Sequence, residues 1–245
     1  MLFRSAVRVA EWERLGLVNP WFIDKGHICY RGVHGMKEIP RYLAEGLDIR
    51  TSARVARITS GRSVVLETGE EFHADAVLIT APAPQAMALL EAPPAAIANA
   101  FTKIEFDPCF AVLASLEGTS QISLPGYVRP DAGPIEWLAD NAAKGISSSA
   151  GAITIHATAA FTRRHLNAPH EDIGQMLLGA AEPYLGSPVI DYQVHRWLYS
   201  KPVPADLPVA VVDNGFAIAG DAFGGGRVEG AFLSGLTVAE LIARS

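Results

Sequence analysis

The chain has 245 residues, of which 49% are hydrophobic and 19% charged, and its mean hydropathy is +0.20. This composition excludes an intrinsically disordered protein, because disordered chains are polar and highly charged. The formal net charge of −6 argues against a general nucleic-acid binder. No apolar run approaches the roughly 20 residues of a membrane-spanning helix, so we predict no transmembrane segment.

The first third of the chain predicts helices, a hairpin and one buried strand. An amphipathic helix is expected over the first 16 residues, with Phe3, Val7 and Leu15 as core positions. The next predicted elements are a strand over 26–30, a helix over 36–45, a hairpin with arms at 55–58 and 64–67, and a strand over 76–80. Because this last strand is apolar and β-branched, we expect it to be buried on both faces.

The remaining sequence predicts a strand-rich stretch followed by helices. Two short helices are expected within 85–101, and longer helices over 160–166, 171–184 and 228–243. Strands are expected over 106–116, 127–129, 135–140, 153–158, 189–199 and 215–219. The order of these elements predicts an α/β part combined with an α+β part built on an antiparallel sheet, with one domain inserted into the other.

The two cysteines, Cys29 and Cys109, are far apart and flanked by apolar residues. We interpret both as buried free thiols in a reducing compartment, which predicts a cytoplasmic protein. Neither a CxxC pair nor a Cys/His cluster occurs in the sequence, so we predict no metal site.

The C-terminal segment GFAIAGDAFGGGRVEGAFLSG carries the strongest chemical signal. Gly220 lets the backbone leave a buried strand where a ligand comes close, and Asp221 then lies at the carboxyl end of that strand, where open α/β sheets bind ligands. Arg227, Val228 and Glu229 open the last helix, whose free N–H groups favour negative charge. A tight strand-to-helix connection without any ligand is the alternative. We favour a ligand site because the carboxylate, the glycines and the helix N-terminus coincide.

The same segment, continued as AGDAFGGGRVEGAFLSGLTVAELI, resembles the C-terminal flavin-binding motif of the FAD-dependent amine oxidase superfamily. The resemblance implies FAD as cofactor, with Gly220 and Asp221 contacting its ribityl and pyrophosphate part. It also implies that Arg227, Val228 and Glu229 direct backbone N–H groups at the pyrimidine edge of the flavin. A reduced flavin gathers negative charge there, which a helix N-terminus stabilises.

Two segments in the first half of the chain extend this resemblance. GMKEIPRYLAEGLDIRTSARVARI resembles the helix and strand that precede the adenine contact, which implies that Val55 lies near the adenine. ADAVLITAPAPQ resembles the second crossover of the family, which implies that Thr80, Ala81 and Pro82 lie beside the cofactor.

The segment HRWLYSKPV resembles the HRW segment of the renalase-like branch, and it places His195 and Trp197 as candidate substrate-facing residues. The alternative interpretation of His195 is a hydrogen-bonded sheet residue. The alternative for Trp197 is a core aromatic, and for Trp197 we favour this alternative. His73 and His156 are interpreted as strand positions with structural partners. The sequence holds no recognisable acid–base or nucleophile constellation, so the catalytic residues stay unassigned.

The resemblance assigns a role to each domain. Residues 26–83 and 206–245 are expected to form a partial FAD-binding, Rossmann-like domain, and residues 1–25 and 84–205 the substrate domain. The implied reaction transfers hydride from a small dihydronicotinamide-type substrate, such as a dinucleotide, to flavin, with O₂ as the electron acceptor. The alternatives are a flavin amine oxidase or desaturase-like enzyme and a non-catalytic fragment.

Members of the superfamily begin with a strand–GxGxxG–helix unit that binds the pyrophosphate. No GxGxxG pattern occurs in these 245 residues. We therefore expect a truncated form, whose FAD site needs a completing chain that carries GxGxxG.

Overall fold

The computed structural model describes residues 2–244, with side chains described from Val7 onward. The elements of its first half are α1 (Leu2–Arg14), β1 (Val18–Asp24), β2 (His27–Gly32), α2 (Glu38–Leu43), β3 (Val55–Ile58), β4 (Ser63–Leu66), β5 (Glu71–His73), β6 (Val77–Ile79), α3 (Ala83–Leu89) and α4 (Ala95–Phe101). Those of its second half are β7 (Phe106–Leu116), β8 (Tyr127–Val128), β9 (Ile135–Asp140), β10 (Ala152–Ala157), α5 (Ala159–Arg164), α6 (His170–Leu185), β11 (Val189–Pro202), β12 (Val211–Asp213), β13 (Phe216–Ile218) and α7 (Val228–Ile242). Among the described residues, no helix has both the length and the hydrophobicity to cross a bilayer.

The chain folds into two compact units, each built from two segments. Unit 1 comprises Met1–Leu47 and Pro108–Ser200, and unit 2 comprises Asp48–Asp107 and Lys201–Ser245. The mixed α/β architecture with antiparallel sheets agrees with the prediction.

The compact units divide the chain differently from the predicted domains, chiefly in two stretches. Residues 26–47 belong to unit 1, because β2 pairs with β1 in an antiparallel hairpin that holds them there. Residues 84–107 belong to unit 2, because Ala86 of α3 and Ile97 of α4 are fully buried in the core of that unit.

The N-terminal helix of unit 1 is confirmed, but its predicted core positions are not. Val7 and Leu15 are 68% and 40% exposed, whereas Trp12 is only 5% exposed. Trp12 lies five residues after Val7, which at 3.6 residues per turn puts it on a different side of the helix. The side chain of Phe3 lies outside the described residues.

The hairpin that follows α1 was predicted only in part, because β1 was missed. Lys25 and Gly26 both have positive φ angles, 47° and 82°, as a two-residue hairpin turn requires. Pro20 lies within β1 and weakens the strand pattern in the sequence, since a proline cannot donate a backbone hydrogen bond.

Unit 1 contains a five-stranded sheet in the order β11-β7-β10-β9-β8, and each of its strands was predicted from the sequence. Strand β10 is antiparallel to both β7 and β9, and β9 is antiparallel to β8. One face of this sheet packs against α6. The fully buried side chains of this core include Phe110, Val112, Leu138, Ile155, Ile173 and Leu177. Both cysteines of this unit are free and half-buried, and burial raises the pKa of the Cys109 thiol.

Unit 2 contains two three-stranded sheets, in the orders β12-β13-β6 and β3-β4-β5. In the first sheet β13 is parallel to β6 and antiparallel to β12. The prediction that the β6 strand is buried on both faces is wrong for one face. Leu78 lies opposite Ala217 on the side that α7 packs against, but the helix buries Ala217 and leaves Leu78 44% exposed.

Candidate functional site

The parallel strands β6 and β13 end at the same edge of their sheet, because Ile79 lies opposite Ile218. Thr80 follows β6, and Gly220 follows β13 one residue later. A Cβ atom on Gly220 would lie 4.0 Å from the carbonyl oxygen of Thr80. The structure therefore brings these two predicted site residues together at the carboxyl edge of the sheet, where ligands of α/β folds bind.

Gly220 leaves the strand in a conformation that only glycine adopts readily. Its φ of 149° and ψ of −171° lie in a region that a Cβ atom forbids to other residues. Its N–H donates to Ser234 Oγ (3.0 Å), and that hydroxyl donates to the carbonyl of Val209 (2.6 Å). Ser234 is fully buried, so this pair of bonds fixes the strand end against α7.

A glycine turn connects Gly220 to the last helix. The carbonyl of Asp221 accepts hydrogen bonds from the N–H groups of Gly224 (3.1 Å) and Gly226 (2.9 Å). Gly224 also packs directly on Gly230, so that a Cβ atom on either residue would collide with the backbone of the other. This contact lets the turn fold back over the first turn of α7.

The N-terminus of α7 has no side-chain cap. Arg227 is the N-cap residue, in an extended conformation, and no hydrogen bond from its side chain closes the helix end. The first helical bond runs from the N–H of Ala231 to the carbonyl of Arg227. The N–H groups of Val228, Glu229 and Gly230 therefore have no partner within the helix, and the helix dipole favours an anion in front of them.

The carboxylate of Asp221 is half-buried at the same edge. Among the residues that the structure describes, none bonds to it. A carboxylate without a protein partner can accept hydrogen bonds from the hydroxyl groups of a bound molecule.

The other predicted cofactor residues of unit 2 lie on separate elements. Ala81 and Pro82 are half-buried between β6 and α3, and the carbonyl of Pro82 accepts the first hydrogen bonds of that helix. Val55 begins β3, opposite Leu66, and packs against the hydrophobic core of unit 2.

His195 and Trp197 lie in unit 1, on the edge strand β11, with their ring centroids 6.3 Å apart. The favoured interpretation of Trp197 as a core aromatic is wrong, because its side chain is 58% exposed. His195 is also exposed, and its imidazole ring makes no hydrogen bond to another described residue. His195 and Trp197 are two residues apart, so their side chains lie on the same face of β11.

The two histidines that were interpreted as strand positions, His73 and His156, have structural partners. His73 Nδ1 lies 2.6 Å from the hydroxyl of buried Ser63, and the ring of His156 lies 5.4 Å from that of Trp137. Desolvation lowers the pKa of His156. Within the described part of the chain, no three His, Cys, Asp or Glu side chains are grouped to hold a metal ion.

Ser234 was not among the residues predicted from the sequence to serve the site. A serine within the apolar stretch AFLSGL of α7 is the signal that could have revealed it, because a buried hydroxyl needs hydrogen-bond partners.

A family model described as flavin containing amine oxidoreductase matches residues 10–243. Solved structures share the fold at low sequence identity. A redesigned putrescine oxidase has a TM-score of 0.66 and 19% identity, over 88% of this chain and 54% of that one. A candidate protoporphyrinogen oxidase from Exiguobacterium sp. 255-15 has a TM-score of 0.66 and 19% identity, over 90% of this chain and 53% of that one. Cyclohexylamine oxidase from Brevibacterium oxydans IH-35A has a TM-score of 0.56 and 14% identity, over 78% of this chain and 48% of that one.

The chain spans about half the length of these structures. Because the family model covers nearly all of its residues, the chain belongs to the family of flavin containing amine oxidoreductases, whose cofactor is FAD.

Proposed function

We propose that this chain supplies the flavin-side half of a FAD site in an oxidoreductase. The observation that carries the proposal is the uncapped N-terminus of α7, which lies next to Gly220 and Asp221 at the carboxyl edge of a parallel strand pair. Enzymes of this family are FAD-dependent oxidoreductases.

The residues at this edge fit the ribityl and pyrimidine part of FAD. Gly220 and the contact between Gly224 and Gly230 keep side chains away from the turn, so that a ligand can approach the backbone closely. Asp221 offers a carboxylate to the ribityl hydroxyls, and the free N–H groups at the start of α7 offer donors to the pyrimidine oxygens.

When bound, FAD would supply the redox chemistry, as acceptor of a hydride from the substrate and donor of electrons to O₂. The contribution of this chain to the reaction is electrostatic. The N–H groups of Val228 and Glu229 and the dipole of α7 stabilise negative charge at the helix end, and they are already in place before any charge develops. Asp221 orients the ribityl chain, and Ser234 holds Gly220 in position for it.

The pyrophosphate of FAD needs donors that this edge does not provide. In dinucleotide-binding folds a strand–GxGxxG–helix unit supplies them, and the 245 residues contain no GxGxxG pattern. We propose that a further polypeptide segment carrying GxGxxG, within a longer protein or in a partner chain, completes the site.

For the substrate we propose a dihydronicotinamide-type ring, as in the renalase-like branch. The support is the HRW segment, whose His195 and Trp197 are both exposed on one strand and present flat rings. Such an electron-rich ring can give up hydride without a catalytic base, and we identify none. The alternative is oxidation of an amine, favoured by the names of two matched structures, putrescine oxidase and cyclohexylamine oxidase.

FAD binding tests the first part of the proposal. The chain is titrated with FAD, alone and together with a strand–GxGxxG–helix segment taken from a family member, and quenching of flavin fluorescence is measured. Asp221→Asn should weaken binding about tenfold or more, because a charged hydrogen-bond acceptor is lost. Asp206→Asn is the matched control, since Asp206 is exposed and outside the site. Equal affinities for the two variants would contradict the assignment of Asp221.

The substrate proposal is tested on the FAD-loaded protein under anaerobic conditions. Isomeric dihydronicotinamide dinucleotides should bleach the flavin absorbance, and admission of O₂ should restore it with formation of hydrogen peroxide. Bleaching by putrescine or cyclohexylamine instead would establish the amine oxidase alternative. A loaded protein that no member of either class bleaches would support the non-catalytic interpretation.

A further inference from the structure

Four aromatic rings of unit 1 form one connected group, here named the aromatic cluster: Trp21, Phe22, Tyr127 and Trp137. The ring of Trp21 makes edge contacts with those of Tyr127 (5.5 Å between centroids) and Trp137 (6.2 Å). Phe22 lies 4.4 Å from Tyr127. The cluster thus joins the β1–β2 hairpin to strands β8 and β9, on the sheet face opposite the α6 core.

A β-bulge explains how two consecutive residues reach the same ring. The pairing between β1 and β2 shifts register between Pro20 and Phe22, so that Trp21 is the extra residue. In a regular strand Trp21 and Phe22 would point to opposite faces, but a bulge turns neighbouring side chains towards one side. The indole N–H of Trp21 donates to the carbonyl of Pro125 (2.6 Å), which fixes the ring.

Lys144 places a positive charge against this cluster. Its ammonium nitrogen lies 4.0 Å from the ring centroid of Trp21 and 5.6 Å from that of Trp137, both within cation–π distance. Lys144 is half-buried, and desolvation followed by the charge of Arg31 lowers its pKa. No hydrogen bond from its ammonium group reaches another residue in the described part of the chain.

The loop that carries Lys144 is held rigidly. The carboxylate of Asp140, which is 5% exposed, accepts hydrogen bonds from the N–H groups of Ala142 (2.8 Å) and Ala143 (3.0 Å) and from the hydroxyl of Ser120 (2.6 Å). The backbone N–H of Lys144 donates to the carbonyl of Asp140. These bonds fix the direction of the loop without using the charge of Lys144.

A second cation lies beside the first. The guanidinium of Arg31 donates to the carbonyl of Gly145 (2.9 Å), the residue that follows Lys144. Within the described residues, neither Lys144 nor Arg31 forms an ion pair, whereas neighbouring Arg129 is within 3.6 Å of Asp24. Two adjacent cations without a carboxylate partner attract an anion, and the pair matches the charge of a phosphate group.

From this arrangement we infer that Lys144 and Arg31, together with the aromatic cluster, bind the phosphate end of a ligand that also has a planar ring. The ammonium and guanidinium groups bind the phosphate oxygens, and the rings of Trp137 and His156 lie beside each other on the same side of the sheet, next to the planar ring of the ligand. The inference deepens the proposed function, on which it rests, because it assigns Lys144 and Arg31 of unit 1 to the phosphate of such a dihydronicotinamide substrate.

Binding is measured by isothermal titration calorimetry on the full chain. The probe is tetrahydronicotinamide mononucleotide, which has a ring and a phosphate but is a poor hydride donor. Its riboside, which lacks only the phosphate, is the matched probe. We expect the mononucleotide to bind about tenfold or more tightly than the riboside, because charge-assisted hydrogen bonds to phosphate are lost in the latter.

Three variants assign the difference to Lys144. Lys144→Met should reduce the preference for the mononucleotide to about threefold or less, while Lys144→Arg should keep most of it, because both cations bind phosphate. Lys25→Met is the control, since Lys25 is exposed in the turn of the same hairpin. Arg31→Gln should weaken the preference by a similar factor. It gives an independent answer if Lys144→Met disturbs folding, as checked by near-ultraviolet circular dichroism.

Equal binding of the two probes to the unchanged protein would overturn the inference, and so would an unchanged preference in both Lys144→Met and Arg31→Gln. A merely structural role for Lys144 would alter stability but leave the preference intact. Failure of the proposed function is recognised separately. In that case the mononucleotide still binds through Lys144, but dihydronicotinamides do not bleach the FAD-loaded protein.

Discussion

Units 1 and 2 use their residues in opposite ways. The core of unit 1 depends on large side chains, such as Phe110 and Leu177, which are fully buried between the sheet and α6. The candidate site of unit 2 depends on the absence of side chains, at Gly220 and at the contact between Gly224 and Gly230. Removal of side-chain atoms should therefore lower stability most in unit 1. Addition of side-chain atoms should lower it most at the site of unit 2.

The largest effect is expected from removing atoms in unit 1. Leu177→Ala should lower the free energy of unfolding by about 3 kcal/mol, because it leaves a cavity in a fully buried site. The measurement is urea denaturation followed by circular dichroism. Met176→Ala is the control on the same helix, because Met176 is 41% exposed, and it should cost less than about 1 kcal/mol. Similar losses for both variants would refute the view that this core is tightly packed.

The second largest effect is expected from adding one methyl group at the contact between Gly224 and Gly230 in unit 2. Gly230→Ala should lower the free energy of unfolding by about 2 kcal/mol, because its Cβ atom meets the backbone of Gly224 and the turn must move. Gly235→Ala on the same helix meets nothing within 4 Å and should stabilise the protein by about 0.5 to 1 kcal/mol. The same denaturation experiment checks both signs. A neutral Gly230→Ala would show that the close approach of turn and helix is not needed.

A smaller loss of stability is expected when the hydrogen bonds of Ser234, which link the end of β13 to α7, are removed. Ser234→Ala should cost about 1 to 2 kcal/mol, because the N–H of Gly220 and the carbonyl of Val209 each lose a buried partner. It should also weaken FAD binding in the fluorescence titration, since Gly220 is no longer held. Thr237→Ala removes only a bond within α7 and should change both quantities little. An unaltered FAD affinity in Ser234→Ala would separate this link from the cofactor site.

The smallest effect is expected on the pKa of His156, which lies on the face of the unit 1 sheet opposite α6. Burial, with a contribution from the charge of Lys144, lowers the pKa of His156, so Lys144→Met should raise it in an NMR titration of the imidazole. The unfolded chain binds this proton more readily than the folded one, so the contribution of His156 to stability is lost as the pH falls from its ordinary pKa of 6.5 towards the lowered value. Glu136→Gln should shift the pKa the other way, because the charge of Glu136 raises it. A His156 pKa that neither variant moves would show that these charges do not reach the ring.

Much of the fold could be predicted because local patterns agree with the final structure. The helix of α6 and the strands β7 and β9 were predicted to within about two residues at each end, because their apolar residues repeat at helix or strand spacing. Strand β1 was missed because Pro20 and its bulge interrupt that repetition. The exposure of Trp197 could not be predicted either, since the sequence does not show which part of β11 other elements of the fold cover.

For the site, the sequence by itself determined the chemistry of the C-terminal motif. This motif consists of a glycine after an apolar strand, an aspartate, and a glycine turn before a helix. Its parts lie within fifteen residues of one another, so local backbone geometry is enough to bring them together. The tertiary structure alone decided which distant residues join them. It placed Thr80 beside Gly220 through parallel pairing of strands far apart in the sequence, and it brought Lys144 to Trp21 through a hairpin and a loop from different segments of unit 1. The physical reason is that sheet order, bulges and cation–π contacts depend on packing between segments, which no local pattern in the sequence records.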